Sequence, residues 1–324
     1  MQDVRSEERL HLMADIATLY YVDGLSQNEI ADRVGLSRST VSYLLQEAQN
    51  QGIVTFHINR PLFRDRSLEH TLKQKFGVPT VRVVEYDETN KDGTLDRIGR
   101  CAESLLVDYL CDGMVLGISP GTGVSAVIRA LRPRRLPNVK VVQLTGGLGS
   151  PHRLLDAAEQ CALAGEIFSA QPYYLNAPLV VDSPAVAAAL KHDPSISRTL
   201  DLALQTDVAL VGIGAVEPQV STQFHAGYLS YDDLMRLDSI GVVGGLCVSF
   251  VNLNGEHVSV PGLDSRLVGI SWEDLSRIGV TIGIAMGRQK ARAVLGAIRS
   301  GCIHSLVVDN VVADMILRLY QTDS

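Results

Sequence analysis

Residues 26–49, SQNEIADRVGLSRSTVSYLLQEAQ, carry the spacing of two short helices clasped around a tight turn. Ser26 with Glu29 three residues on is a capping box, in which hydroxyl and carboxylate satisfy orphan backbone N–H groups at a helix start. Ile30 and Val34 then share one face, and Ala31 sits where a larger side chain would push two crossing helices apart. Gly35 can take the positive φ of a sharp inter-helix turn, Leu36 plugs that turn, and Ser37 can cap the second helix. Val41, Leu44 and Leu45 give the second helix a buried stripe at spacings of three and four. Arg38, Ser39, Thr40, Ser42 and Tyr43 are left outside, at the start of a helix, where a recognition helix meets base edges and phosphates. With Ser37, and with Gln27 at the head of the first helix, they are the candidate DNA contacts.

Any αα-hairpin needs a cap, a glycine and apolar pairs. The small residue, the Gly-Leu turn and the valine at these mutual distances point further, to a DNA-binding helix-turn-helix. Its field is weak: residues 1–66 hold seven Arg and no Lys against nine Asp and Glu. Affinity must therefore come from a few placed contacts, repeated by dimer symmetry on near-palindromic operator DNA. Upstream, Arg9–Val22 places Leu12, Ile16, Leu19 and Tyr20 on one face and reads as a support helix. Downstream, Ile53–Ile58 is an apolar, β-branched run of strand length that reads as a small wing. Asn59-Arg60-Pro61 breaks it, and Arg64–Phe76 resumes helical spacing through Leu68, Leu72 and Phe76 before Gly77. The expected organisation is a helix-turn-helix domain over 1–59, a connector helix over 60–77, and an effector-binding and oligomerisation domain over 78–324.

A chain of 324 residues accommodates one small domain and one of ordinary α/β size. Its 46% hydrophobic and 20% charged residues are those of a globular protein, and a net charge of −7 argues against broad nucleic-acid coating. Five cysteines, at 101, 111, 161, 247 and 302, form no C-x-x-C pair and leave an odd count. Neither a disulfide framework nor a zinc site is expected, and reduced thiols in the cytoplasm are. The N-terminus, MQDVRSEERL, lacks the apolar core of a signal peptide. Ile240–Val251, the longest apolar run, is too short for a bilayer and holds three glycines, so no membrane partner is expected.

Beyond Val78, apolar β-rich runs alternate with helical segments. The runs are Val81–Tyr86, Met114–Ile118, Val139–Leu144, Val208–Gly214, Gly241–Val251, Val280–Ala285 and Leu306–Asp309. Strands apolar throughout and separated by helices indicate a mainly parallel sheet covered on both faces. In such a sheet ligands bind beyond the carboxyl ends of the strands. The residues there are glycine-rich: Ser119-Pro120-Gly121-Thr122-Gly123, then Thr145-Gly146-Gly147, then Gly212-Ile213-Gly214, then Met286-Gly287-Arg288-Gln289-Lys290. Backbone N–H groups, hydroxyls and a lysine suit an anion such as phosphate. Any one loop alone could be packing, but four in successive units suggest a shared pocket. None matches a P-loop or a dinucleotide fingerprint, so no cofactor is expected.

A sugar-phosphate pocket could equally belong to an isomerase or deaminase, which needs a positioned base. Asp238, Asp264, Asp309, His225, His257 and His304 are available but form no constellation of fixed spacing, so no catalytic residue is assigned. Asp309, just before a helix starting at Asn310, reads first as an N-terminal cap and second as an effector contact. A third reading makes the hairpin a protein-interaction module, which predicts no salt-dependent DNA binding.

The segments YYVDGLSQNEIADRVGLSRSTVSYLLQEAQNQGIV, QLTGGLGS, DVALVGIGAV, GVVGGLCVSF, RLVGIS and MGRQKARAVLGAIRSG, in this order and over nearly the whole chain, resemble the SorC family of bacterial transcriptional regulators. The resemblance implies a helix-turn-helix joined to a Rossmann-like sugar-binding domain of the sugar-phosphate isomerase and deaminase type. It also implies a phosphorylated sugar or polyol as effector, some members responding to unphosphorylated polyols, and a dimer or tetramer. It places the effector-contacting lysine at Lys290 and the Gly-Thr strand exit at Gly121-Thr122. One departure stands out. In many members the G-x-V-G segment is followed by an aspartate that bonds an effector hydroxyl, whereas Gly241-Val242-Val243-Gly244 is followed here by Gly245. That change removes an acceptor and leaves the identity of the sugar open.

Overall fold

The computed structural model describes residues 2–54, 64–149, 156–247 and 249–322. The chain divides into two compact units, Met1–Pro61 and Leu62–Ser324.

The first unit contains α1 (Gln2–Tyr21), α2 (Gln27–Val34) and α3 (Arg38–Asn50). The capping box forms as the sequence predicts: Glu29 N–H donates to Ser26 Oγ at 3.3 Å, and Ser26 N–H to Glu29 Oε2 at 2.8 Å. Gly35 ends α2 at φ 70°, and its N–H and that of Leu36 both donate to Ala31 O. That reversal lets Ile30 and Ala31 of α2 and Val41, Leu44, Leu45 and Ala48 of α3 bury together with Met13, Ile16 and Ala17 of α1. The wing expected over Ile53–Ile58 lies beyond Val54 outside the described residues.

The second unit runs α4 (Arg66–Phe76), β1 (Thr80–Val84), α5 (Lys91–Tyr109), β2 (Val115–Ile118), α6 (Thr122–Ala130), β3 (Lys140–Gln143), α7 (Ala157–Phe168), β4 (Gln171–Tyr173), α8 (Pro184–His192), α9 (Pro194–Ala203) and β5 (Val208–Ala215). It continues with α10 (Thr222–His225), α11 (Tyr231–Ser239), β6 (Val242–Leu246), β7 (Ser249–Asn252), α12 (Trp272–Ser276), β8 (Val280–Ile284), α13 (Ala291–Arg299), β9 (Ser305–Asp309) and α14 (Asn310–Thr322). Seven strands form a parallel sheet in the order β1-β9-β8-β5-β2-β3-β4. Successive residues of the inner strands alternate between two cores. Val141, Leu210 and Val307 pack with α5, α6 and α7, whereas Val142, Val211 and Val308 pack with α4, α9, α13 and α14. Both faces are thus covered, which is why the strands read as unbroken apolar runs.

Two features differ from the sequence reading. The run Gly241–Val251 is not one strand but an antiparallel hairpin, β6 and β7, with Leu246 paired to Ser249. β5 is long enough to serve two partners: Val208–Gly212 lies between β8 and β2, and Ile213–Ala215 pairs antiparallel with β6. The helix expected as a connector packs on β1 as part of the second unit, with Leu72 fully buried. Glu69, in the same helix, accepts two hydrogen bonds from Arg64, at 2.7 and 2.6 Å, and one from Val83 N–H at 3.1 Å.

Candidate functional site

In the first unit the face of α3 opposite the core carries the candidate DNA contacts. Arg38, Ser39, Ser42 and Tyr43 are exposed, Tyr43 by 60% although it is a large aromatic. Every other large apolar side chain of this helix is buried, and the Tyr43 phenol meets the Arg9 guanidinium. Ser37 holds the helix start together, since its Oγ accepts from Thr40 N–H at 3.1 Å and lies 2.8 and 2.7 Å from the hydroxyls of Ser39 and Thr40. Thr40 is half-buried within this network. Gln27 is half-buried at the head of α2.

In the second unit the chain leaves β2 toward β3 on one side and β5 toward β8 on the other, so the strand order reverses between β2 and β5. A crevice outside the carboxyl ends of those strands follows from that topology, and a cavity of about 360 Å³ occupies it. The strand exits converge tightly. A Cβ on Gly123 would lie 2.6 Å from Ile284 of β8, and one on Gly212 would lie 3.2 Å from Pro120 O. Ser119 Oγ accepts from Gly212 N–H at 3.1 Å, and Gln160 Nε2 of α7 donates to Gly121 O at 3.2 Å. Gly121 caps α6 without a side chain, so the leading N–H groups of that helix have no side-chain cap.

Lys290 reaches the same cavity from the turn after β8. Among the described residues its ammonium has no carboxylate partner, and burial pulls its pKa down to about 8. Asp309 holds that turn in place. Fully buried, it accepts from Gly287 N–H through Oδ2 at 2.7 Å and from Val312 N–H through Oδ1 at 2.9 Å. The second bond is the N-terminal cap of α14. The first fixes Gly287, at φ 93°, three residues before Lys290. Burial raises the Asp309 carboxyl, against the backbone donors that lower it.

Of the residues singled out from sequence, Ser119, Gly121, Thr122, Gly123, Gly212, Gly214 and Lys290 line this one cavity. Asp309 stands behind it. Thr145, Gly146 and Gly147 do not line it: they bridge to Gly269 and Pro178, and a Cβ on Gly146 would lie 2.4 Å from Pro178 O. Their small size serves close backbone packing, and Leu148 is the residue of that loop on the wall. The segment between β5 and α11 supplies wall residues that strand-exit reasoning misses, including Val216, Gln219, Gln223, His225 and Leu229. The β6–β7 hairpin adds Gly245, Cys247 and Phe250. Of the acids and bases considered for catalysis, His225 alone lies on the wall, its Nε2 3.3 Å from Gln219 O. Asp238 faces Arg292 at 3.7 Å, His257 stacks on Trp272, and His304 Nδ1 accepts from Thr281 N–H.

A sugar-binding domain family matches residues 60–318, and a winged helix-turn-helix DNA-binding family matches residues 23–55. The crystal structure of the full-length sorbitol operon regulator SorC from Klebsiella pneumoniae superimposes with a TM-score of 0.72 at 29% identity, over 96% of this chain and 99% of that one. The chain belongs to the SorC family of transcriptional regulators. Among other relatives, the transcriptional regulator LsrR of Enterobacter sp. (strain 638) is 32% identical over 95% of this chain and 93% of its own length. The sorbitol operon regulator of Klebsiella pneumoniae is 30% identical over 97% and 100%. The SorC family pairs DNA binding with small-molecule binding, and the two sites of this chain fall in its two matched domains. Among the described residues no helix is long and apolar enough to cross a membrane.

Proposed function

We propose that this regulator controls a carbohydrate or polyol utilisation operon in the cytoplasm, as a dimer or tetramer on near-palindromic operator DNA, and that a phosphorylated sugar or polyol is its effector. The observation that carries the reading is Lys290: an ammonium without a carboxylate partner among the described residues, in a cavity with the hydroxyls of Ser119 and Thr122 and the uncapped start of α6. A dianionic phosphate answers all three groups. In this reading Arg38, Ser39, Ser42 and Tyr43 read the operator, and Gln27, Ser37 and Thr40 support them. The wall lacks a carboxylate beside a second acid or base among the described residues, which favours binding over the isomerase-type alternative. Thermal unfolding against a panel of free and phosphorylated sugars and polyols tests it, because a ligand of the folded state raises the midpoint. A shift that requires the phosphate and vanishes in Lys290→Ala supports the reading. A shift given only by unphosphorylated compounds, unchanged in that variant, overturns the phosphate assignment. The compound that shifts the midpoint must also change operator affinity.

A further inference from the structure

Arg9 lies four residues before Met13, so it carries the buried stripe of α1 one turn past the core. There its guanidinium crosses to the outer flank of α3 and donates to Glu47 Oε2 at 2.6 Å. The other carboxylate oxygen, Oε1, accepts from Gln51 Nε2 at 2.9 Å, so both oxygens of Glu47 are engaged. Tyr43 stands one turn before Glu47 on the same flank, and its phenol meets the same guanidinium. At the far end of α1, Tyr21 Oη accepts from Gln49 Nε2 at 2.7 Å, which ties the two helices a second time. Gln51, Glu47, Arg9 and Tyr43 thus form one chain of polar contacts that ends on the exposed phenol.

Stability is a poor reason for this chain of contacts. The Arg9 side chain is 51% exposed, and an ion pair in water contributes little to folding while it fixes two long side chains. Direct phosphate contact is a poor reason too, because the Arg9 charge is already met by Glu47, the one acid of α3. What the contacts do settle is the polarity of Tyr43. A guanidinium donates and never accepts, so the phenol oxygen can only accept from it, and the single phenolic hydrogen is left to point elsewhere. Phosphate oxygens and the N7, O6 and O4 atoms of the major groove all accept. We propose that Arg9, anchored by Glu47, is a positioning residue for operator recognition and holds Tyr43 as a hydrogen-bond donor to an acceptor of the duplex. The proposal rests on the reading of α3 as the recognition helix.

Fluorescence anisotropy with the full chain, on a duplex that the parent protein selects from a random-sequence library, tests it. Arg9→Ala should weaken binding about three- to tenfold, the worth of one hydrogen bond, with the thermal midpoint unchanged. Glu47→Ala should weaken it too, although removing a carboxylate from a recognition helix should tighten DNA binding on charge alone. Arg9→Lys, still a donor, should recover most of the loss, and Arg9→Ala should add nothing in a Tyr43→Phe background. Arg9→Ala and Glu47→Ala binding as tightly as the parent, or weakening only as the midpoint falls, overturns the proposal. So does an equal loss from Arg9→Ala with and without the Tyr43 hydroxyl, which makes Arg9 a phosphate contact in its own right. If Tyr43→Phe binds like the parent while Arg38→Ala does not, the positioning role falls and α3 still reads the operator. If neither substitution matters, the reading of α3 falls with it.

Discussion

Burial makes Lys290 costly to the fold, whereas Asp309 stabilises it through two backbone hydrogen bonds. Burial sets the Lys290 pKa at about 8, below its ordinary 10.5. The folded state therefore binds fewer protons than the unfolded state between those values, so the penalty is full below about pH 8 and fades as pH rises toward 10.5. Lys290→Met should stabilise the ligand-free protein at pH 7 by about 1–2 kcal/mol, with a gain that shrinks toward pH 10, while abolishing the midpoint shift given by the effector. Thermal unfolding across pH reads both, and a variant no more stable than the parent at pH 7 would contradict the burial argument. In the proposed reading, effector affinity should fall as pH rises through about 8, because the ammonium proposed to meet the phosphate is lost. Asp309 accepts from two backbone N–H groups with two different oxygens. Asparagine keeps one acceptor and turns an NH₂ toward the other N–H, so Asp309→Asn should cost about 1–3 kcal/mol. It should also weaken effector binding by loosening the Gly287–Lys290 turn. Loss of stability with unchanged effector affinity would make Asp309 a cap alone.

Among the elements, α2 and α3 were legible because their determinants are local: Ser26 and Glu29 are three residues apart, Ser37 and Thr40 likewise, and Gly35 takes the φ of 70° that its position requires. Arg38→Ala and Tyr43→Ala should each reduce operator affinity by about tenfold or more while leaving stability within about 0.5 kcal/mol, since both side chains are exposed. Gly35→Ala should cost about 1 kcal/mol from torsion alone, because nothing lies within 4 Å of the added Cβ. Binding by fluorescence anisotropy beside chemical denaturation separates the two effects. The β6–β7 hairpin was not legible for a related reason. Its turn places a positive φ of 54° on Cys247 rather than on glycine or asparagine, so the chain reads on as one apolar run. Thr145-Gly146-Gly147 misleads in the opposite direction, since small residues look alike whether a ligand or another backbone approaches them. The wall from Val216 to Leu229 depends on packing with Phe250 and Val260, and no local pattern announces a contact of that range.

At the scale of the whole molecule, the cavity proposed for the effector lies at the strand reversal between β2 and β5, the helix proposed to read DNA is α3, and the two belong to separate compact units. A regulator needs those sites coupled, and coupling at equilibrium is reciprocal. If an effector lowers operator affinity by a given factor, saturating operator must lower effector affinity by that same factor. A ligand-bound state disfavoured on DNA by about 1.4–2.8 kcal/mol gives a factor of about ten to a hundred, enough to change operator occupancy. Measuring the effector's Kd by calorimetry with and without an operator duplex, and the operator's Kd with and without effector, closes the cycle. The two ratios should agree, and both should collapse to one in Lys290→Met, which keeps α3 intact but removes the anion contact. An effector Kd untouched by operator, beside an operator Kd that the effector does change, would break that equality. The compound would then be acting at some place other than the β2–β5 cavity, or without reaching equilibrium.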